Sequence, residues 1–506
     1  MKINTLVIAS ALGMATTAAL VWAAVEPATP RAAVAAASKD PAWVPGASPR
    51  KAAPGADLPD RSHFQAGKTL TMEGRLGHRV LPAGADSDTY LFVDVSADRT
   101  RTALTPAPLN LAIVIDRSGS MKGKRLTNAF AAARSAVQRL RDGDQVSIIT
   151  YNTAAEVMVA PTQVTAASRG SILAAIKPVK AAGDTCISCG VETGMRMLGR
   201  RDQMVSRMLL LSDGEATRGV RDLPGFQRIA EECRSMGASI TTIGVDVDYN
   251  ERILSQLARD SNGRHFFVAD PSGLPPVFDE EMRSLAETVA TGTELTIDLA
   301  PGVFADHIFD RPAVQRGTQM VVPLGSFAGS DHKTLLVRLR VPRGAAGERP
   351  VAAVRLRYSD LAEGGEGNCE GELVAQLSDD PAAIATLDGL VSARVSASET
   401  AETLETANDL FRRGNADAAR AVIATRREGL LQKRKGGVSG PRAVEAERSF
   451  DKQDAVLSGA GEGFSQPPPV AAGSEARPTT ATPPAADHAG KSQVRHNQQD
   501  AFELSE

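Results

Sequence analysis

Aromatic residues are scarce: Phe, Trp and Tyr make up 4% of the 506 residues, with only 2 Trp and 4 Tyr. Ala, Gly and Pro are abundant instead, so part of the chain is expected to lie outside any packed core. Net charge is nearly absent, with 57 Lys and Arg against 60 Asp and Glu. That balance removes the electrostatic reason for a nucleic-acid or strongly anionic partner. Cysteine is rare too. Of the 4 present, only Cys186 and Cys189 lie close together, and the lack of a second close pair speaks against a zinc site.

One long apolar run does occur. Leu6 to Ala24 is apolar or small throughout, follows a single Lys, and ends on Val21-x-Ala23, a small-residue cleavage pattern. Residues 1–24 therefore read as a signal peptide, with an uncleaved N-terminal anchor as the rival, because about 20 apolar residues suffice to span a bilayer. No Cys lies in the cleavage region, which argues against lipid attachment. In either case the remainder is expected outside the cytoplasm, in the periplasm, at the cell surface or secreted, where disulfides persist.

Residues 25–62 are dense in Pro and Ala and read as a linker. From 63 to 108 the pattern is strand-like, as in "TLTMEGRL" and "TYLFVDVSA". Between 109 and 290 apolar strands ("LNLAIVI", "QVSIITY", "AEVMVA", "RMLLLS", "SITTIGV", "RHFFVA") alternate with helical stretches. In "RLTNAFAAARSAVQRLRD", Leu126, Phe130, Ala133 and Val137 share a face. Strands apolar on both faces and separated by helices predict a mostly parallel, doubly covered α/β sheet, with "AEVMVA" as an antiparallel edge. Alternating strands return over 291–377, as in "ELTIDLA" and "KTLLVRLRVP". The upstream β segment is too short for an independent core, so the α/β unit is expected to be inserted in a β-sandwich. Residues 378–435 read as a helical hairpin, and the Pro-, Gly- and Gln-rich stretch 436–506 as a disordered tail, apart from a short helix near "AVEAERSFDKQ".

The chemistry-bearing stretch is "IVIDRSGSMKG". A buried strand ends at Asp116, at the carboxyl edge where open α/β sheets place ligands, and Ser118 and Ser120 follow on the turn into a helix. "LLLSDGEAT" ends a second strand at Asp213, and "AAGDTCISCG" supplies Thr185 on a loop before a helix. Three hydroxyls and two carboxylates make an all-oxygen set suited to a hard divalent cation. Taken singly, each piece is as consistent with a helix N-cap. Their joint occurrence at strand-to-loop junctions is what points to a site.

Asp116-x-Ser118-x-Ser120, then Thr185, then Asp213 resembles the metal-ion-dependent adhesion site of the von Willebrand factor type A domain. The likeness extends over about 180 residues and includes the strand order. It implies that Ser118, Ser120 and Thr185 contact Mg2+, with Mn2+ or Ca2+ as alternatives, while Asp116 and Asp213 act largely through water. Neutral hydroxyls leave such an ion electrophilic, so an open coordination position accepts an Asp or Glu of a protein partner. The resemblance thus implies binding or adhesion rather than an enzyme. The flanking β segments and helical hairpin are similar to an exported bacterial group related to calcium-activated chloride channel regulators and inter-α-trypsin inhibitor heavy chains. The H-E-x-x-H signature of the animal regulators is absent, so protease activity does not carry over.

Cys186 and Cys189 depart from the family pattern, in which Asn commonly stands at the position of Cys186. A local disulfide is the favoured reading outside the cytoplasm. A redox-sensitive clamp on Thr185 is an alternative, because a helix N-terminus lowers a thiol's pKa. Cys233 reads as core, and the partner of Cys369, if any, is open. Two further functions compete with the binding module: a periplasmic thiol–disulfide redox protein using Cys186 and Cys189, and a structural or channel-associated envelope protein. Arg117, Lys122 and Lys124 flank the candidate site, either as a solvated loop or as cations that steer an acidic partner.

Overall fold

The structure, a computed structural model, describes residues 60–98, 100, 106–177, 179–201, 204–435, 442–465 and 484–506. The expected signal segment, and the linker up to residue 59, lie outside the described residues. Four strands come first: β1 (His63–Gly67), β2 (Leu70–Leu76), β3 (Val80–Pro82) and β4 (Ser87–Ala97). The α/β unit follows as β5 (Leu109–Asp116), α1 (Lys124–Arg139), β6 (Gln145–Tyr151), β7 (Ala155–Gln163), α2 (Ser168–Ala175), α3 (Ile187–Leu198), β8 (Val205–Ser212), α4 (Leu223–Ser235), β9 (Ala238–Val245), α5 (Glu251–Asp260), β10 (His265–Val268) and α6 (Leu274–Ala286). The chain then returns to β structure in β11 (Thr288–Leu299), β12 (Phe304–Phe309), β13 (Val314–Arg316), β14 (Gln319–Ala328), β15 (His332–Val341), β16 (Gly347–Asp360) and β17 (Glu366–Ser378). Four helices complete it: α7 (Gly389–Arg412), α8 (Ala416–Lys435), α9 (Ala443–Gly463) and α10 (Pro484–Ser505).

The early and late strands share two sheets, ordered β1-β2-β4-β15-β12 and β13-β14-β11-β16-β17-β3. β4 pairs antiparallel with β15, placing Leu91 opposite Val337, and β3 pairs in parallel with β17. Neither sheet is complete without strands from both sides of residues 109–286, so the α/β unit is an insertion in a sandwich. The facing sheets bury Leu91, Val93, Leu295, Ile297, Val337 and Leu356 in one core.

The inserted sheet runs β10-β9-β8-β5-β6-β7, parallel throughout except for β7, which lies antiparallel on β6 at the edge. Every residue of β5 and of β9 is buried, because helices cover both faces. Successive residues of β5 serve opposite layers. Leu111, Ile113 and Ile115 pack with Leu126 and Phe130 of α1 and Phe278 of α6, whereas Ala112 and Val114 pack with Val191 of α3, Phe226 of α4 and Leu254 of α5. Gly190 lets α3 lie close on β6, since a Cβ there would stand 2.6 Å from the Tyr151 ring.

The region beyond residue 377 differs from its expected form. The hairpin is present as α7 and α8, the short helix expected near residue 443 is present in longer form as α9, and the stretch expected to be a disordered tail also contributes α10; the four helices share a core around Leu404, Phe411, Ile423, Phe450, Leu457 and Val494. Residues 466–483 of that tail lie outside the described residues. Hydropathy missed α10 and the packing of α9 because amides fill several core positions. Gln453 accepts from the Ser396 hydroxyl at 2.8 Å and donates to the Ala393 carbonyl at 3.2 Å. Asn497 donates to Asn408 at 3.0 Å, and Asn408 in turn donates to the Val494 carbonyl. Buried amides with satisfied hydrogen bonds hold such helices in place without raising mean hydropathy. Among the described residues no helix is long and apolar enough to cross a membrane.

His265, at the start of β10, is buried with Nδ1 2.9 Å from the Thr242 hydroxyl, and burial pushes its imidazole down to about 3. An unfolded His protonates near 6.5, so the native state binds fewer protons between those values, and this contribution to stability is lost as pH falls through that window. Urea unfolding should therefore show His265→Gln losing about 2 kcal/mol less than the wild type between pH 6.5 and pH 5. Parallel pH profiles for the two proteins would contradict the assignment.

Candidate metal site

Parallel pairing sets Ile115 of β5 opposite Leu211 of β8, so both chains leave the sheet at the same edge. Asp116 and Asp213 emerge there with no exposed surface. One Asp116 oxygen accepts the Ser118 backbone N–H at 2.8 Å, and the other accepts the Ser212 hydroxyl at 2.9 Å. A single tight helical turn, Gly119–Met121, then brings the Ser118 and Ser120 hydroxyls to 3.0 Å from each other. Ser120 donates onward to Asp213 Oδ1 at 2.6 Å. Four of the five expected residues are thus joined through direct hydrogen bonds or, for Asp116, through Ser118.

Thr185 arrives from the opposite side on a loop held to the same edge. The Ala182 N–H donates to the Arg117 carbonyl at 3.0 Å, the Gly119 N–H to the Gly183 carbonyl at 3.1 Å, and the Cys186 N–H to the Asn152 carbonyl at 2.8 Å. Gly183 has φ +83°, and a Cβ there would stand 2.8 Å from the Thr153 hydroxyl, so both its backbone conformation and its surroundings call for glycine. Thr217 brackets Thr185: its hydroxyl accepts the Thr185 N–H at 2.9 Å, and its own N–H donates to the Thr185 carbonyl at 2.9 Å. A Cβ on Gly214 would lie 3.3 Å from the Ser120 hydroxyl and 3.5 Å from that of Thr185. The two hydroxyls therefore converge on one small space that glycine leaves open.

Two buried carboxylates at one edge carry an electrostatic cost. Burial, with the neighbouring Asp213 adding to it, pushes the Asp116 carboxyl up to about 6. Burial also raises Asp213, against the opposing effect of Ser120 and Arg125. Arg125, in the first turn of α1, is the cation that offsets this charge. Its guanidinium donates to Asp213 Oδ2 at 2.9 Å, to the Ser120 carbonyl at 3.0 Å and, through Nε, to Asp246 at 3.0 Å. Sequence reasoning missed Arg125, because an Arg in the first turn of an amphipathic helix reads as solvated. Asp246, just beyond β9 with φ +63°, was missed for the same reason. Of the cations expected nearby, Arg117 pairs with Glu156 at 3.1 Å, whereas Lys122 and Lys124 are exposed.

The donor set fits a hard divalent ion: buried carboxylates in excess over nearby cations, and neutral hydroxyls converging on an open space. Among the described residues no group of three or more His, Cys, Asp and Glu side chains is placed to hold a metal. Cys186 and Cys189 have their sulfurs at bonded distance, 1.94 Å, with Cys186 1% exposed under Gly219. Cys233 and Cys369 are unpaired and buried, and burial pushes their thiols up to about 12 and about 11.

Residues 110–280 match the family model of the von Willebrand factor type A domain. Over 268 residues the chain is 26% identical to uncharacterized protein sll0103 of Synechocystis, a match that covers 51% of this chain and 63% of that one. Over 172 residues it is 26% identical to inter-alpha-trypsin inhibitor heavy chain H2 of Sus scrofa, covering 32% of this chain and 18% of that protein. The chain therefore spans less than two thirds of the length of either relative. A solved von Willebrand factor type A structure from Catenulispora acidiphila superposes with a TM-score of 0.65 over 79% of this chain and 92% of its own, at 18% identity, a likeness of fold alone.

Arg125→Met leaves Asp213 buried without its cation. The expected loss in urea-unfolding stability at pH 7 is about 2–4 kcal/mol, below the full cost of a broken buried pair because Arg125 is partly solvated. The loss should shrink as pH falls and the Asp213 carboxyl, raised by burial, takes up a proton. A pH-independent loss, or none, would show that Arg125 does not offset the site's charge.

Proposed function

We propose, from the match of residues 110–280 to the family model of the von Willebrand factor type A domain, that the chain is an exported, metal-ion-dependent protein-binding module. Ser118, Ser120 and Thr185 would hold the cation directly, and Asp116 and Asp213 largely through water. Mg2+ is favoured by the all-oxygen set, with Mn2+ or Ca2+ as alternatives. Bound there, the ion supplies a Lewis-acidic position for a carboxylate of the partner, an Asp or Glu, and the reading is adhesion rather than catalysis. The observation that supports it is that Ser118 and Ser120 from one turn and Thr185 from a second loop meet at the sheet edge where Asp116 and Asp213 are fully buried. Tight turns and hydrogen bonds to backbone preorganise these side chains, which lowers the entropic cost of binding.

Export is supported by the apolar run Leu6 to Ala24 and by the Cys186–Cys189 pair, a bond that persists in oxidising compartments. The alternative of thiol–disulfide exchange is less well supported. Cys186 is 1% exposed, which leaves only the half-buried Cys189 within reach of an exchange partner.

Titration calorimetry of the purified chain with Mg2+ should show saturable uptake that Asp116→Ala abolishes and Thr185→Ala weakens by about tenfold or more. Pull-down from envelope extract should recover the same partners with Mg2+ present and lose them with EDTA. Absence of divalent uptake by the wild type would overturn the reading. Partner capture that survives both EDTA and Asp116→Ala would leave only a structural role for the site.

A further inference from the structure

A groove of about 660 Å3 opens beside the candidate metal site, between α1 and the side formed by Ile176, Val179, Lys180 and Ala181. Its near end is formed by Lys122 and Gly123, directly after the Ser120 turn, and by Lys180 and Ala181, directly before the loop that carries Thr185. Its floor is apolar: Leu126, Phe130 and Ile176 are buried, and Val179 and Ala131 form walls. Lys122 and Lys180 are exposed at the metal-site end. Arg134 closes the far end, where it donates to the Leu173 carbonyl at 2.6 Å and so fixes the opposite wall. Among the described residues no acidic side chain lines the groove.

Resting on the metal-dependent reading above, we infer that this groove receives the chain that runs on from the partner's metal-bound Asp or Glu, and that it selects an acidic, extended peptide segment with apolar side chains close to that residue. Two features favour this occupant. The charge is one-sided, with cations at both ends of an apolar trough, and this complements an acidic segment while disfavouring a basic one. The size also matches: from Gly123 to Arg134 the helix rises about 16 Å, the reach of about five extended residues. Apolar burial in the trough supplies affinity, and the metal end fixes direction and register. The carboxylate alone would not distinguish one acidic surface from another. The adjoining trough would.

The test uses the full chain and a displayed library of linear heptapeptides with one fixed Glu, selected in Mg2+ and eluted with EDTA. Leu, Ile, Phe or Met should be enriched within five positions on one side of the Glu. Thr127→Trp, an exposed position on the groove wall, should weaken binding of a selected peptide by about tenfold or more while calorimetric Mg2+ uptake stays unchanged. Lys180→Glu should weaken it at low salt, with the difference fading as salt is raised. EDTA-eluted peptides with no apolar preference, or binding by Thr127→Trp within threefold of wild type, would overturn the groove and leave the metal site standing. Failure to recover any EDTA-eluted peptide, together with no Mg2+ uptake, would sink the metal reading and the groove with it.

Discussion

Two carboxylates buried side by side at the end of a parallel sheet are the constraint around which the inserted unit is organised. Asp116 and Asp213 are there because β5 and β8 are neighbours in parallel register, and each would be costly alone in so dry a place. The surrounding sequence supplies what makes them tolerable: the Ser118 N–H and the Ser212 hydroxyl for Asp116, the Ser120 hydroxyl and Arg125 for Asp213. Burial still holds the Asp116 carboxyl up at about 6, with the charge of Asp213 adding to it.

The rest of the fold connects to this edge from two sides. The sandwich clamps both ends of the insertion, with β4 before it and β11 after it belonging to facing sheets of one core. The helical unit reaches the same edge by another route. In α10, Arg495 pairs with Glu251 at the start of α5, and Lys491 pairs with Asp248 at 3.0 Å, next to the Asp246 that holds Arg125. The segment that reads as a tail thus contributes to the electrostatic surroundings of the site.

Much of this was legible in one dimension. The six strands of the α/β unit, its edge strand and its insertion in a sandwich follow from apolar runs against alternating ones, because burial on two faces or one leaves different periods in the chain. The five candidate residues stood out because each sits where a buried strand or loop changes abruptly to short oxygen-bearing side chains. The helices α9 and α10 were not legible as packed elements: their inward positions include Gln453, Asn497 and Gln498, whose partners lie on other helices. A polar residue at a core position looks solvated until its hydrogen-bond partner is in view.

Sequence alone determined the local facts: which strands are buried, where each ends, and which side chains stand at those ends, since these depend on near neighbours and on the water each residue avoids. Tertiary structure decided the pairings between distant residues. It set Arg125 between Asp213 and Asp246, converged Ser120 and Thr185 on the space beside Gly214, and opened an apolar trough along α1. Those depend on distances between segments far apart in the chain, and electrostatic and hydrogen-bond energies fall too steeply with distance for any one-dimensional pattern to encode them.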